Sequence, residues 1–88
     1  MMKKFNFNNY VKVKLTPEGV NIYYHQFDSI CNLIPKFKRT LPQIDENGFT
    51  KFQLWHLMEL YGSKIFSSNA FEEIYLYMDD EDLEEVKE

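Results

Sequence analysis

The sequence predicts an α+β fold, two helices packed on a small antiparallel sheet in the order strand, helix, helix, strand. Three observations carry this. Gly48–Gly62 has apolar residues at three- and four-residue spacing between terminal signals, Thr16-Pro17-Glu18 opens a second amphipathic stretch, and two flanking segments alternate with period two. A chain of 88 residues is one domain. We expect the α+β domain over 1–78 and an acidic C-terminal tail over 79–88. Aromatic residues make up 17% of the chain, and their large rings allow a small core to bury area efficiently.

The first strand is expected over Tyr10–Leu15, because Phe5, Phe7, Val11, Val13 and Leu15 share one parity with mostly Asn and Lys between them. Asn8-Asn9 is a turn or bulge signal, which leaves residues 1–9 as a separate short strand or a loose arm. Thr16 then caps a helix, with Pro17 at its first position and Glu18 complementing the helix dipole. Val20, Tyr23, Tyr24, Phe27, Ile30, Cys31 and Ile34 keep helical spacing, so this helix should run about 17 residues to Pro35.

Residues 35–47 carry two prolines and mixed polarity, the composition of a long connection, with Phe37, Leu41 and Ile44 expected to pin it to the core. The second helix is expected over 48–62. Thr50 and Gln53 match a reciprocal capping box, Phe49 and Leu54 a hydrophobic staple, and Gly62 a left-handed stop. Leu54, Leu57, Met58 and Tyr61 should face the core, with Trp55 on the flank and weak continuation through Lys64 to Phe66. Ser67-Ser68-Asn69 interrupts the pattern. Phe71–Met78 reads as the second strand, with Ile74, Leu76 and Met78 on one face and Tyr75 and Tyr77 on the other. Antiparallel pairing with Tyr10–Leu15 would bring Lys12 and Lys14 to the tyrosine face.

Charge is divided unevenly. Residues 1–44 hold seven Lys or Arg against Glu18 and Asp28, a net +5, whereas residues 45–88 hold twelve acids against three lysines, a net −9. The halves can neutralise each other on folding or offer an acidic face to a basic partner. A lone cysteine, Cys31, excludes an internal disulfide, and the Met-Met-Lys-Lys start leads into no apolar run, so the expected setting is intracellular, with no membrane contact.

Catalytic chemistry finds little support. His25, His56 and Cys31 lack metal-ligand spacing, and Asp45-Glu46-Asn47-Gly48 departs from a calcium loop at the next two positions, so no metal is expected. Cys31 falls on an apolar helix face, and there is no Gly-rich loop to cradle a phosphate or shape an oxyanion hole. We therefore expect neither an enzyme nor a cofactor. Three interaction surfaces remain: the acidic C-terminal end, which can meet a basic partner, and two side-chain clusters. The stripe Phe52, His56, Leu60, with Tyr75 and Tyr77 on the sheet, is the candidate protein-binding surface, and a homodimer through an exposed sheet edge is its variant. Lys36, Phe37, Lys38 and Arg39 mix cations with a ring and are the candidate nucleic-acid contact, which the low pI of 5.1 and the acidic tail oppose.

KVKLTPEG at Lys12–Gly19 and NGFTKFQLWHLMELYG at Asn47–Gly62 together resemble small uncharacterised accessory proteins of temperate phages and prophages of low-GC Gram-positive bacteria. The resemblance implies a bacterial cytoplasmic setting and an accessory role exercised by binding a host or phage protein. It brings no site residues with it.

Overall fold

In the computed structural model, which describes residues 2–65, 69–73 and 75–86, the backbone order is β1 (Lys3–Phe5), β2 (Tyr10–Val13), α1 (Pro17–His25), α2 (Asp28–Leu33), β3 (Thr50–Gln53), α3 (Leu54–Tyr61) and β4 (Leu83–Glu85). Short 3-10 turns occupy Gly62–Lys64 and Asp80–Asp82. The class is α+β, as expected. Two small antiparallel sheets are formed, β1 with β4 and β2 with β3.

β2 is the centre of the fold. Val11 pairs with Phe52 and Val13 with Thr50 on its β3 side, while the backbone of Lys12 exchanges two 2.8 Å hydrogen bonds with Tyr77 on its other side. Leu15 bridges to Phe71, so β2 and its extension lie between β3 and the 71–77 segment. Four residues on the β2 side, Lys12 to Leu15, face seven on the partner side, Tyr77 to Phe71. The expected second strand is therefore present as two separate bridges. Ile74, placed by parity on one face with Leu76 and Met78, lies outside the described residues, as do Phe66, Ser67 and Ser68.

Alternation along β2 sends Val11, Val13 and Leu15 into the core with Phe52, Leu57, Tyr61 and Ala70. Phe5 packs against this cluster, but Phe7, on the same parity, is exposed. Asn6–Asn9 forms the turn that separates β1 from β2, with the Asn9 amide donating to the Asn6 carbonyl at 2.9 Å and the Asn8 amide to the Asn6 side chain at 2.8 Å.

α1 starts as its residues dictate. The Gly19 amide donates to the Thr16 hydroxyl at 3.2 Å, Pro17 occupies the first turn, and the Glu18 carboxylate accepts the Asn69 amide at 2.9 Å. Gly19 is required for packing here, since a Cβ at this position would stand 2.1 Å from the Ala70 carbonyl oxygen.

The expected 17-residue helix is broken after His25. In an uninterrupted helix the Tyr24 carbonyl would accept the Asp28 amide; here it accepts the Arg39 guanidinium at 3.0 Å, and Arg39 also binds the Asp28 carboxylate. α2 buries no residue, so little packing opposes the break. Of the three residues expected to pin the connection to the core, Phe37 reaches only Phe27, with the rings 5.4 Å apart, and neither belongs to the core cluster. Leu41 and Ile44 do not pin it either: they are 63% and 55% exposed.

The start of the second helix differs most from expectation. Thr50–Gln53 is a strand, and α3 begins at Leu54. There is no capping box: the Thr50 hydroxyl is buried without a partner, and the Gln53 amide group reaches the Asn8 carbonyl at 3.0 Å. Carbonyls of the 6–9 turn cap α3 instead, accepting from Leu54 N (Asn9, 3.0 Å) and Trp55 N (Phe7, 3.1 Å). Phe49 is likewise no staple, its ring lying 5.0 Å from that of Tyr77. Gly62 stays right-handed, with φ −51°, and leads into the 3-10 turn. Leu57 and Tyr61 are buried as expected, whereas Met58 is exposed.

The acidic end is not wholly a tail. β4 pairs with β1 in the register Lys3 to Glu85 and Lys4 to Glu84, and Lys4 forms a 3.5 Å ion pair with Glu84. This joins the basic start of the chain to its acidic end. The molecule measures 52 × 27 × 25 Å, with a radius of gyration of 15.2 Å, against roughly 12 Å for a compact chain of this length. No helix among the described residues is long and apolar enough to cross a membrane.

Candidate functional site

β3 has one edge paired and one open. Because antiparallel partners alternate, Thr50 and Phe52 turn their backbone groups to β2, and Lys51 and Gln53 turn theirs outward. The loop before β3 satisfies only the first outward residue, Phe49: its carbonyl accepts the Asp45 amide at 2.9 Å, and its amide donates to the Asp45 carboxylate at 2.9 Å. Gly48, at φ +86°, supplies the left-handed residue that closes this loop. Beyond it the chain 40–44 diverges from β3. Among the described residues the outward N–H and C=O of Lys51 have no backbone partner.

The divergence opens a cleft of about 750 Å³, bounded by Thr40–Asp45 on one side and by β3 on the other, with Tyr23 and His56 at one wall and Tyr10 and Lys12 at another. Its size falls within the range of roughly 300–1,000 Å³ typical of ligand sites. Leu41 and Ile44 contribute apolar surface to it, and Thr50 and Phe52 the edge of the core.

The outer sheet face combines lysines with rings. Lys14 is neutralised by Glu73 at 3.1 Å and lies 5.2 Å from the Phe49 ring centroid, and the Tyr77 hydroxyl donates to Glu73 at 2.7 Å. These two contacts, Tyr77 first and Lys14 second, hold the Glu73 carboxyl below the usual carboxylate range, while the hydrogen bond to Glu73 raises Lys14. Lys51 stands 4.7 Å from the Tyr10 ring centroid and directly opposite Lys12.

The expected contact residues divide. Phe52 is not on an exposed stripe: at 4% exposure it is part of the core, because as a β3 residue it faces inward with Thr50. His56 is half-buried, its ring 5.9 Å from that of Phe52 and its Nε2 3.4 Å from the Gln26 side chain. Leu60 is also half-buried and packs against the core. Tyr75 is exposed, and Tyr77 is partly exposed beside Phe49. Thus Phe52 and His56 meet in the cleft wall, and Leu60, Tyr75 and Tyr77 are not among the residues lining that cleft.

The basic cluster is dispersed. Arg39 is held by Asp28 and Tyr24, with its guanidinium 4.9 Å from the Tyr24 ring, and this bond pushes the Asp28 carboxyl down. Phe37 is engaged with Phe27. Lys36 and Lys38 are exposed. Among the described residues, no three His, Cys, Asp or Glu side chains are grouped to hold a metal ion.

The cleft residues Lys51, Leu41 and Ile44 were not singled out by sequence as contacts. The signal for them was the alternation in Phe49-Thr50-Lys51-Phe52-Gln53 following Asn47-Gly48, which is a hairpin pattern as much as a helix start. No protein-family model matches the chain, and neither a curated protein nor a solved structure matches it significantly.

Proposed function

We propose that the chain is a non-catalytic protein-interaction module, and that it holds an extended segment of its partner in the cleft between Thr40–Asp45 and β3. The observation that carries this reading is the open backbone edge of β3 at Lys51, which borders that cleft. An extended peptide gains affinity by pairing with such an edge and specificity from the pockets its alternate side chains meet. Leu41 and Ile44, exposed in the free chain, supply apolar surface to bury on binding. The resemblance to phage accessory proteins makes the partner a host or phage protein in the bacterial cytoplasm. The basic cluster is the weaker reading, since Arg39 and Phe37 are already engaged within the chain.

Selection of random peptides on the immobilised protein tests the proposal. It predicts enriched peptides whose binding is lost when Leu41→Asp and Ile44→Asp are combined. Failure to enrich any peptide, or enrichment indifferent to those substitutions, would contradict it.

A further inference from the structure

Lys12 and Lys51 are direct cross-strand neighbours on the outer face of the β2–β3 pair. Like charges in that position destabilise a sheet. Lys14, two residues further along the same face, is neutralised by Glu73 at 3.1 Å. For Lys12 and Lys51 no carboxylate among the described residues lies within ion-pair distance, although Asp79 lines the small hollow that they share with Tyr10, Tyr77 and Met78. Asp45, the acid in the larger cleft, directs one carboxylate oxygen to the amides of Asn47 and Phe49, each at 2.9 Å. The sheet therefore neutralises one lysine of three and leaves an adjacent pair at the cleft.

We propose that this pair receives the carboxylates of the partner segment, which is an extended peptide with acidic residues at alternate positions and apolar residues between them. The inference rests on the cleft reading above and adds the chemistry of its occupant. A strand laid along β3 places every second side chain on the outer face, beside Lys51, with Lys12 one strand further in on the same face, and the others on the face of Phe52, where Tyr23 and His56 line the cleft. Carboxylates suit the first set and apolar groups the second. A second copy adding through its own β3 would bring another Lys51 to this face. A nucleic-acid backbone would satisfy the lysines but leave the N–H and C=O of the β3 edge without a matching strand.

Titration calorimetry at physiological ionic strength decides the matter with an amidated heptapeptide alternating glutamate and valine, its glutamine-for-glutamate counterpart, and an oligothymidylate. The glutamate peptide is expected to bind about fivefold tighter than the glutamine peptide, the order expected when several solvent-exposed ion pairs contribute together. The preference should vanish when Lys12→Gln and Lys51→Gln are combined, a variant whose melting temperature should not fall because the like-charge pair is removed. Equal binding of the two peptides would overturn the charge inference and leave the cleft reading standing. Absence of binding by either peptide would also overturn it, and the reading beneath it falls only if random selection fails too. Tighter binding of the oligothymidylate, or a glutamate preference that survives the double substitution, would equally refute it.

Discussion

The Tyr61 hydroxyl of α3 donates a 2.9 Å hydrogen bond to the Gly19 carbonyl of α1, inside the core. Tyr61 is fully buried, and its ring also meets Phe52 and Phe71 at 5.8 and 5.0 Å. One side chain thus joins both longer helices to the sheet. Tyr61→Phe keeps the ring packing and removes the hydrogen bond, so it should cost about 1–2 kcal/mol. Chemical denaturation of the two proteins measures this, and equal midpoints would contradict the role given to the hydroxyl.

The same burial, with a smaller contribution from Tyr23, pushes the Tyr61 hydroxyl well above the ordinary tyrosine range. Below about pH 10 the group is neutral in folded and unfolded chains alike, and above it only the unfolded chain ionises readily. Stability should therefore fall as pH rises past that value, and Tyr61→Phe should flatten the fall. Parallel slopes in a pH series of melts would show that this tyrosine does not control it.

Gly19→Ala is expected to destabilise the fold by about 1–3 kcal/mol, the usual cost of overpacking, although alanine favours helix. The added Cβ would stand 2.1 Å from the Ala70 carbonyl oxygen, which is backbone and cannot swing aside. A raised melting temperature for this variant would show that the 69–71 segment does not press against α1.

Thr50 separates the two descriptions of residues 50–53. As a helix cap its hydroxyl would contribute about 1 kcal/mol. As a core-facing strand residue with an unpartnered hydroxyl, it should be replaced by valine at no cost or with a gain of up to about 1 kcal/mol. A lower melting temperature for Thr50→Val would restore the cap.

That position also marks where the sequence was legible and where it was not. Val11, Val13 and Leu15 were readable because one parity meets one core, and Thr16-Pro17-Glu18 because cap and first turn are local demands. The Phe49–Gln53 segment was ambiguous: its residues satisfy both a capping box and a strand alternation, and pairing with β2, a long-range contact, decides for the strand. The break at Tyr24–Asp28 depends on Arg39, which is distant in sequence from the helix it interrupts. The candidate site escaped notice for the same reason, because the juxtaposition of Lys12 with Lys51 exists only once that register is set.

Glu73 gives an acid-side prediction. The Tyr77 hydroxyl and Lys14 lower its folded pKa, so its contribution to stability is present above the ordinary glutamate range and is lost as pH falls through the lowered value. Glu73→Gln should reduce the loss of stability between neutral and acidic pH. An unchanged acid limb would mean that the cluster of Lys14, Glu73 and Tyr77 is not formed in solution.

Backbone amide hydrogen exchange at Lys51 tests the account most directly, because the open edge of β3 is its centre. In the free protein the Lys51 amide should exchange rapidly while that of Phe52, paired to Val11, is protected. Addition of a peptide selected for binding should slow Lys51 exchange by about tenfold or more as its amide acquires a strand partner. A Lys51 amide already protected in the free chain would mean that residues 41–44 close onto β3 and fill the cleft. Rapid exchange unchanged by a tightly bound peptide would place binding elsewhere on the molecule.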